Sequence, residues 1–136
     1  MDDPHKIDTM SPGELRDKLA KLGGGENFEK AFSADALKAA GIDMDAPRLK
    51  RIDAAIMIHK YMLEVAGIQD LEDISGAAVL KDLYDCRKCV NHIAQVYLRG
   101  IMKPVSFTLP GGSSILLFDS KSEDVGPILL PAWTNP

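Results

Sequence analysis

At 136 residues and 14.8 kDa, the chain has the size of one compact domain rather than two. Its 46% hydrophobic and 26% charged residues exclude a disordered tail, and no apolar run approaches the ~20 residues needed to cross a bilayer. Lys plus Arg number 16 against 20 Asp plus Glu, for a net charge of −4. A chain wrapped along nucleic acid usually carries the opposite balance, so neither that class of partner nor a membrane is expected.

Residues 1–10 read as a lead-in without the basic and then apolar pattern of a secretory signal. Two readings follow: a cytoplasmic protein, or a mature form whose export signal is not in this chain. Ser11-Pro12-Gly13-Glu14 has the spacing of a capping box with Pro at the first helical position. Leu15, Leu19 and Leu22 then form one apolar stripe, which Gly23-Gly24-Gly25 ends. A second helical stretch runs over about residues 27–40, with Phe28, Phe32, Ala36 and Ala39 on one side and Gly41 at its end. Within it, Ser33 is placed to cap a new helix.

The strongest pattern predicts a central helix over residues 51–66. Ile52, Ala55, Ile56, Met62, Leu63 and Ala66 make one broad apolar face, widened by Met57, Ile58, Tyr61 and Val65. Asp53, Lys60 and Glu64 stack as a polar strip. After an acidic connection over 69–73, residues 75–83 read as a short helix or an extended segment. A further helix is predicted over 86–99, with Val90, Ile93, Val96 and Tyr97 inward and Lys88, Asn91, Gln95 and Arg99 outward. Residues 105–109 and 114–118, around Pro110-Gly111-Gly112-Ser113, predict a β-hairpin. Residues 127–136, with three prolines and Trp133, read as extended chain. The predicted class is mainly α, a small bundle of helix-loop-helix units with a C-terminal β-hairpin. Its divisions are a helical domain over 1–103, the hairpin over 104–120, and a tail or linker over 121–136 that suits a further domain beyond it.

An internal repeat is the most informative feature. Ala36-Leu37-Lys38-Ala39-Ala40-Gly41-Ile42 parallels Ala94-Gln95-Val96-Tyr97-Leu98-Arg99-Gly100-Ile101, each a helix ending in Gly-Ile. After the first copy, a loop with Pro47 leads to Lys50-Arg51-Ile52-Asp53 at the start of the central helix. This order resembles the S-layer homology (SLH) repeat, whose second helix opens with Thr-Arg-Ala-Glu. Leu80-Lys81-Asp82-Leu83-Tyr84-Asp85, leading to the helix that ends at Gly100-Ile101, resembles the opening half of a second repeat. The resemblance covers about one and a half repeats over roughly residues 30–103, whereas the family usually works with three. Only the Arg and an acid of the signature are retained.

The resemblance implies a non-catalytic module that attaches to an anionic cell-wall polysaccharide at a cell surface. It carries Arg51 over as the ligand-holding guanidinium and Asp53 as the supporting acid; Lys50, which stands where the signature has Thr, is counted with them as a ligand-binding candidate. A planar fork of donors beside helix-N-terminal amides suits carboxylates. The alternative expectations are an assembly or spacer domain without glycan binding, or an intracellular thiol protein.

Cys86-Arg87-Lys88-Cys89 is a C-x-x-C with three readings: two small residues packed on the face of Val90, Ile93 and Tyr97, a redox or disulfide pair, or half of a zinc site with His92 as third ligand. Packing is the expectation, and no metal or cofactor is predicted. His59 and His92 border apolar faces, where a histidine is usually a hydrogen-bonded core residue. Neither glycine cluster is followed by the Gly-Lys-Ser/Thr of a phosphate loop, and no catalytic constellation emerges.

Overall fold

The computed structural model describes residues 8–131; the first residues of the lead-in and Trp133 lie outside them. Among the described residues the elements run α1 (Pro12–Lys21), α2 (Gly25–Ala31), α3 (Ala34–Ala39), α4 (Arg51–Glu64), three 3-10 turns (Ser75–Val79, Leu83–Asp85, Arg87–Cys89), α5 (Val90–Leu98), β1 (Val105–Thr108) and β2 (Ser114–Leu117). The fold is mainly helical with one antiparallel hairpin, in which Val105 faces Leu117 and Thr108 faces Ser114.

Local chemistry sets the early boundaries. Ser11 accepts from the Glu14 amide while the Glu14 side chain accepts from the Ser11 amide, closing the capping box that starts α1. Ser33 accepts from the Ala36 amide and splits the second helical stretch into α2 and α3. Gly24 has φ +120°, and a Cβ there would lie 2.2 Å from Val65 Cγ1, so the α1–α2 turn can press on the end of α4 only without a side chain. Phe28 and Phe32 stack with ring centroids 4.9 Å apart, and Tyr61 of α4 tilts against both.

α4 is central, packing against α1, α2 and α5. Its inward face differs from the predicted one. Ala54, Ala55, Met57, Ile58, Tyr61 and Met62 are buried, together with Arg51 and His59, whereas Ile52 and Ile56 are half-buried and Leu63 is 43% exposed. On three sides the neighbours are helices, so burial follows the packing partners rather than the widest apolar arc. α5 brings a second correction: Gln95 is fully buried and Arg99 nearly so, both predicted to point outward. Each is drawn in by the connection 65–74, whose backbone carbonyls and amides have no ladder of their own to join.

The two Gly-Ile endings fold alike. Gly41 N–H donates to Lys38 O and Ile42 N–H to Leu37 O; Gly100 N–H donates to Tyr97 O and Ile101 N–H to Val96 O. Both glycines hold positive φ, +84° and +75°, and both isoleucines are buried. These are two Schellman caps, each turning the chain back under its helix.

Residues 118–130 form no helix and no strand, and they are docked on the fold rather than free. Phe118 and Val125 are buried, Val125 N–H donates to Asp8 O, Met102 bridges Ile128, and Leu129 N–H donates to Ile101 O. The apolar residues 125, 128 and 130 supply the reason for docking.

Candidate functional site

Of the signature residues, Lys50 is exposed, Asp53 is half-buried and Arg51 is only 3% exposed. α4 opens without a side-chain cap, because Lys50 offers no acceptor. The loop after the hairpin supplies the acceptors instead: Arg51 N–H donates to Ser122 O at 2.9 Å and Ile52 N–H to Ser120 O at 3.0 Å. Asp119 takes φ +62° at the start of that loop, a conformation Asp tolerates, and its amide and that of Phe118 both donate to the Asp82 carboxylate at 2.7 and 2.8 Å.

The Arg51 side chain completes the same junction. Nε donates to Phe118 O at 2.6 Å, Nη1 to Asp124 O and Val125 O at 3.2 Å each, and Nη2 to Lys103 O. The guanidinium carbon lies 4.9 Å from the centre of the Phe118 ring. Burial lowers the Arg51 pKa, while Asp119, Asp124 and Asp82 act to raise it; arginine remains a cation in such surroundings. Burial likewise raises the pKa of Asp53, with Asp43 adding to the effect and Lys50 opposing it. Beside the guanidinium lies an open cleft of about 340 Å³, lined by Arg51, Lys103, Ser106, Asp119 and Asp124 among others.

A second cluster was not grouped by the sequence reading. His59 of α4 places Nε2 2.6 Å from Asp70 Oδ1, and Nδ1 2.8 Å from Nδ1 of His92 on α5. The Asn91 side-chain amide donates to the other Asp70 oxygen at 2.7 Å. Gln95 fixes the loop that carries Asp70, accepting from Leu71 N–H and donating to Leu71 O. An ionised carboxylate only accepts, so His59 carries its proton on Nε2 and, when neutral, accepts from His92 Nδ1–H. One added proton is accommodated, because a single N–H can still lie between the rings. Two added protons would set two N–H groups against each other.

Burial lowers the pKa of His92, the charge of His59 lowers it further, and Asp70 opposes both. For Asp70, burial raises the pKa, but hydrogen bonds from His59 and Asn91 and the charges of His59 and Arg99 outweigh it, and the net shift is downward. The arrangement ties α4, α5 and the loop that carries Asp70 together through one chain of side-chain hydrogen bonds. Its sequence signal was faint: two histidines on different helices and an aspartate in an acidic loop.

Cys86 and Cys89 are joined in a disulfide, which corrects the expectation of packed free thiols. The predicted helix start at residue 86 moves to Val90, because residues 83–89 form consecutive 3-10 turns that bring the two sulfurs together. Among the described residues, no group of three or more His, Cys, Asp or Glu is placed to hold a metal ion, and no helix is long and apolar enough to cross a membrane. Comparison of the chain with protein-family models, with curated proteins and with solved structures returns no match.

Proposed function

We propose that the chain is a non-catalytic binding module of the SLH kind, which attaches to an anionic cell-wall polysaccharide. The observation that carries this reading is the pair of Gly-Ile caps, Gly41-Ile42 and Gly100-Ile101, which repeat the same hydrogen bonds at the ends of α3 and α5. Repetition of a helix end together with its hydrogen-bond pattern supports a repeat architecture in a way that a short sequence motif alone does not. The Cys86–Cys89 disulfide also suits an oxidising surface environment.

In this reading Arg51 positions the site rather than touching the polymer, since its donors point at four backbone carbonyls. Contact with the glycan falls to exposed groups around the same end of α4, Lys50 and Lys103 first, beside the cleft that Arg51 floors. Charges in the cleft are balanced, Arg51 and Lys103 against Asp119 and Asp124, so hydrogen bonding to sugar hydroxyls accompanies any ionic attraction. A single such groove binds weakly, because linking several sites raises avidity by roughly 10²–10⁴.

The engagement of Arg51 favours a second reading, a helical assembly or spacer domain on the same scaffold. Co-sedimentation with purified cell-wall material at low and physiological salt separates the two. Wall binding predicts retention that weakens with salt and falls in the double variant Lys50→Ala, Lys103→Ala. No retention of the parent protein on any polysaccharide-bearing wall leaves the spacer reading.

A further inference from the structure

We propose that Cys86–Cys89 is an exchange-active disulfide, reduced by a dithiol and re-formed by a small disulfide while the protein stays folded, with Cys86 as the sulfur attacked. The two cysteines are three positions apart, Cys86 directly before the third 3-10 turn and Cys89 at its end, so their bond spans one turn and ties no distant elements of the fold together. Restricting so short a loop constrains the unfolded chain least of all, and contributes correspondingly little to stability. The fold around it has other anchors. Asp82 binds the amides of Phe118 and Asp119 through both its oxygens, and Leu83 is buried in the core.

The two sulfurs have different surroundings. Cys86 lines an open cleft of about 290 Å³ with Asp82, Asp85, Asp119, Ser120 and Lys121. Cys89 packs against the hydrophobic core and stands at the N-cap of the nine-residue α5. A thiolate arriving through the cleft therefore meets Cys86 first. The leaving Cys89 thiolate is released at a helix N-terminus, beside Arg87 and Lys88, where a negative charge is favoured. Cys89 N–H donates to Cys86 O at 3.0 Å, a backbone bond that does not depend on the disulfide and keeps the freed thiols close for re-oxidation.

The step balances as follows. One thiolate of the dithiol bonds to Cys86 Sγ as the Sγ–Sγ bond breaks, and Cys89 takes the electron pair and then a proton. The second thiol of the reagent displaces Cys86, which is protonated in turn. The protein gains two electrons and two protons, and the dithiol becomes a disulfide.

The test uses the full chain under native conditions, with dithiothreitol as reductant, alkylation and mass to count thiols, and far-UV circular dichroism to follow the fold. Two thiols should appear without change in the spectrum, and they should pair again on addition of oxidised dithiothreitol. A monothiol added briefly and quenched with acid should then leave its mixed disulfide on Cys86 in about tenfold or greater excess over Cys89 by peptide mass, since Cys86 lines the cleft and Cys89 is the better-stabilised leaving thiolate. Reduction that occurs only with unfolding, or a mixed disulfide found equally on Cys89, would overturn the proposal.

Discussion

Arg51 grips Phe118 twice: its Nε donates to the Phe118 carbonyl at 2.6 Å, and its guanidinium lies over the Phe118 ring at 4.9 Å. The two residues are 67 positions apart, and the contact fastens the end of β2 to the start of α4. The backbone adds to it, because the Ser120 and Ser122 carbonyls accept from the first amides of α4. A helix N-terminus and an arginine fork are the donors an anionic ligand would use. Here the loop after the hairpin uses them.

Loss of that clamp should be costly. Arg51→Ala is expected to destabilise by about 3 kcal/mol or more, because it leaves four backbone carbonyls without their donor, each buried acceptor left unsatisfied costing about 1–3 kcal/mol. Arg51→Lys should recover only part of this, since an ammonium cannot present the fork that reaches Phe118, Val125 and Lys103 together. Urea melts of the three proteins check the order; an Arg51→Ala midpoint equal to that of the parent would remove the clamp.

The corrected face of α4 separates two substitutions that the sequence pattern treats alike. Met62→Ala should destabilise by about 2–5 kcal/mol, because Met62 is 2% exposed. Leu63→Ala should stay within about 0.5 kcal/mol of the parent, because Leu63 is 43% exposed. Equal losses at both positions in denaturant melts would restore the wider apolar face.

How much of this was legible in the sequence differs from one residue to the next. Ser11, Ser33, Gly41 and Gly100 act on groups within a few positions of themselves, so their roles could be read from spacing. The hairpin turn is of the same kind. Arg51, His59 and Gln95 have partners from another element or from a loop that no periodicity describes. A buried arginine and a buried glutamine look like surface residues until the carbonyls and amides that hold them are known. The cysteine spacing was plain, but whether it served packing or a bond depended on the 3-10 turns, which helical periodicity hides.

His92 gives the stability of the fold a pH dependence. A depressed folded pKa for His92 means that the unfolded chain binds more protons, so the stability from this group is present above about pH 6.5 and is lost as pH falls below it. Asp70, also depressed, loses its contribution at lower pH, beneath the ordinary aspartate range. Thermal melts from pH 8 to pH 5 should therefore show falling stability in the parent and a flatter profile in His92→Gln. Parallel profiles would show that His92 does not titrate against folding.

Gly24 offers a steric test. Gly24→Ala should destabilise by about 1–3 kcal/mol, since a Cβ there would strike Val65 and φ +120° suits glycine alone. A parent-like melting temperature for this variant would mean that the α1–α2 turn can move away from α4.

The most direct measurement of the Arg51 clamp is hydrogen exchange by NMR at the Arg51 Nε–H and at the backbone amides of Arg51 and Ile52. All three donate to carbonyls of residues 118–122, so all three should exchange slowly, and the Nε–H far more slowly than that of the exposed Arg48. Exchange of the Arg51 Nε–H as fast as that of Arg48, in a folded protein whose Met62 amide is protected, would contradict the clamp and return the guanidinium to solvent as a ligand-contacting group.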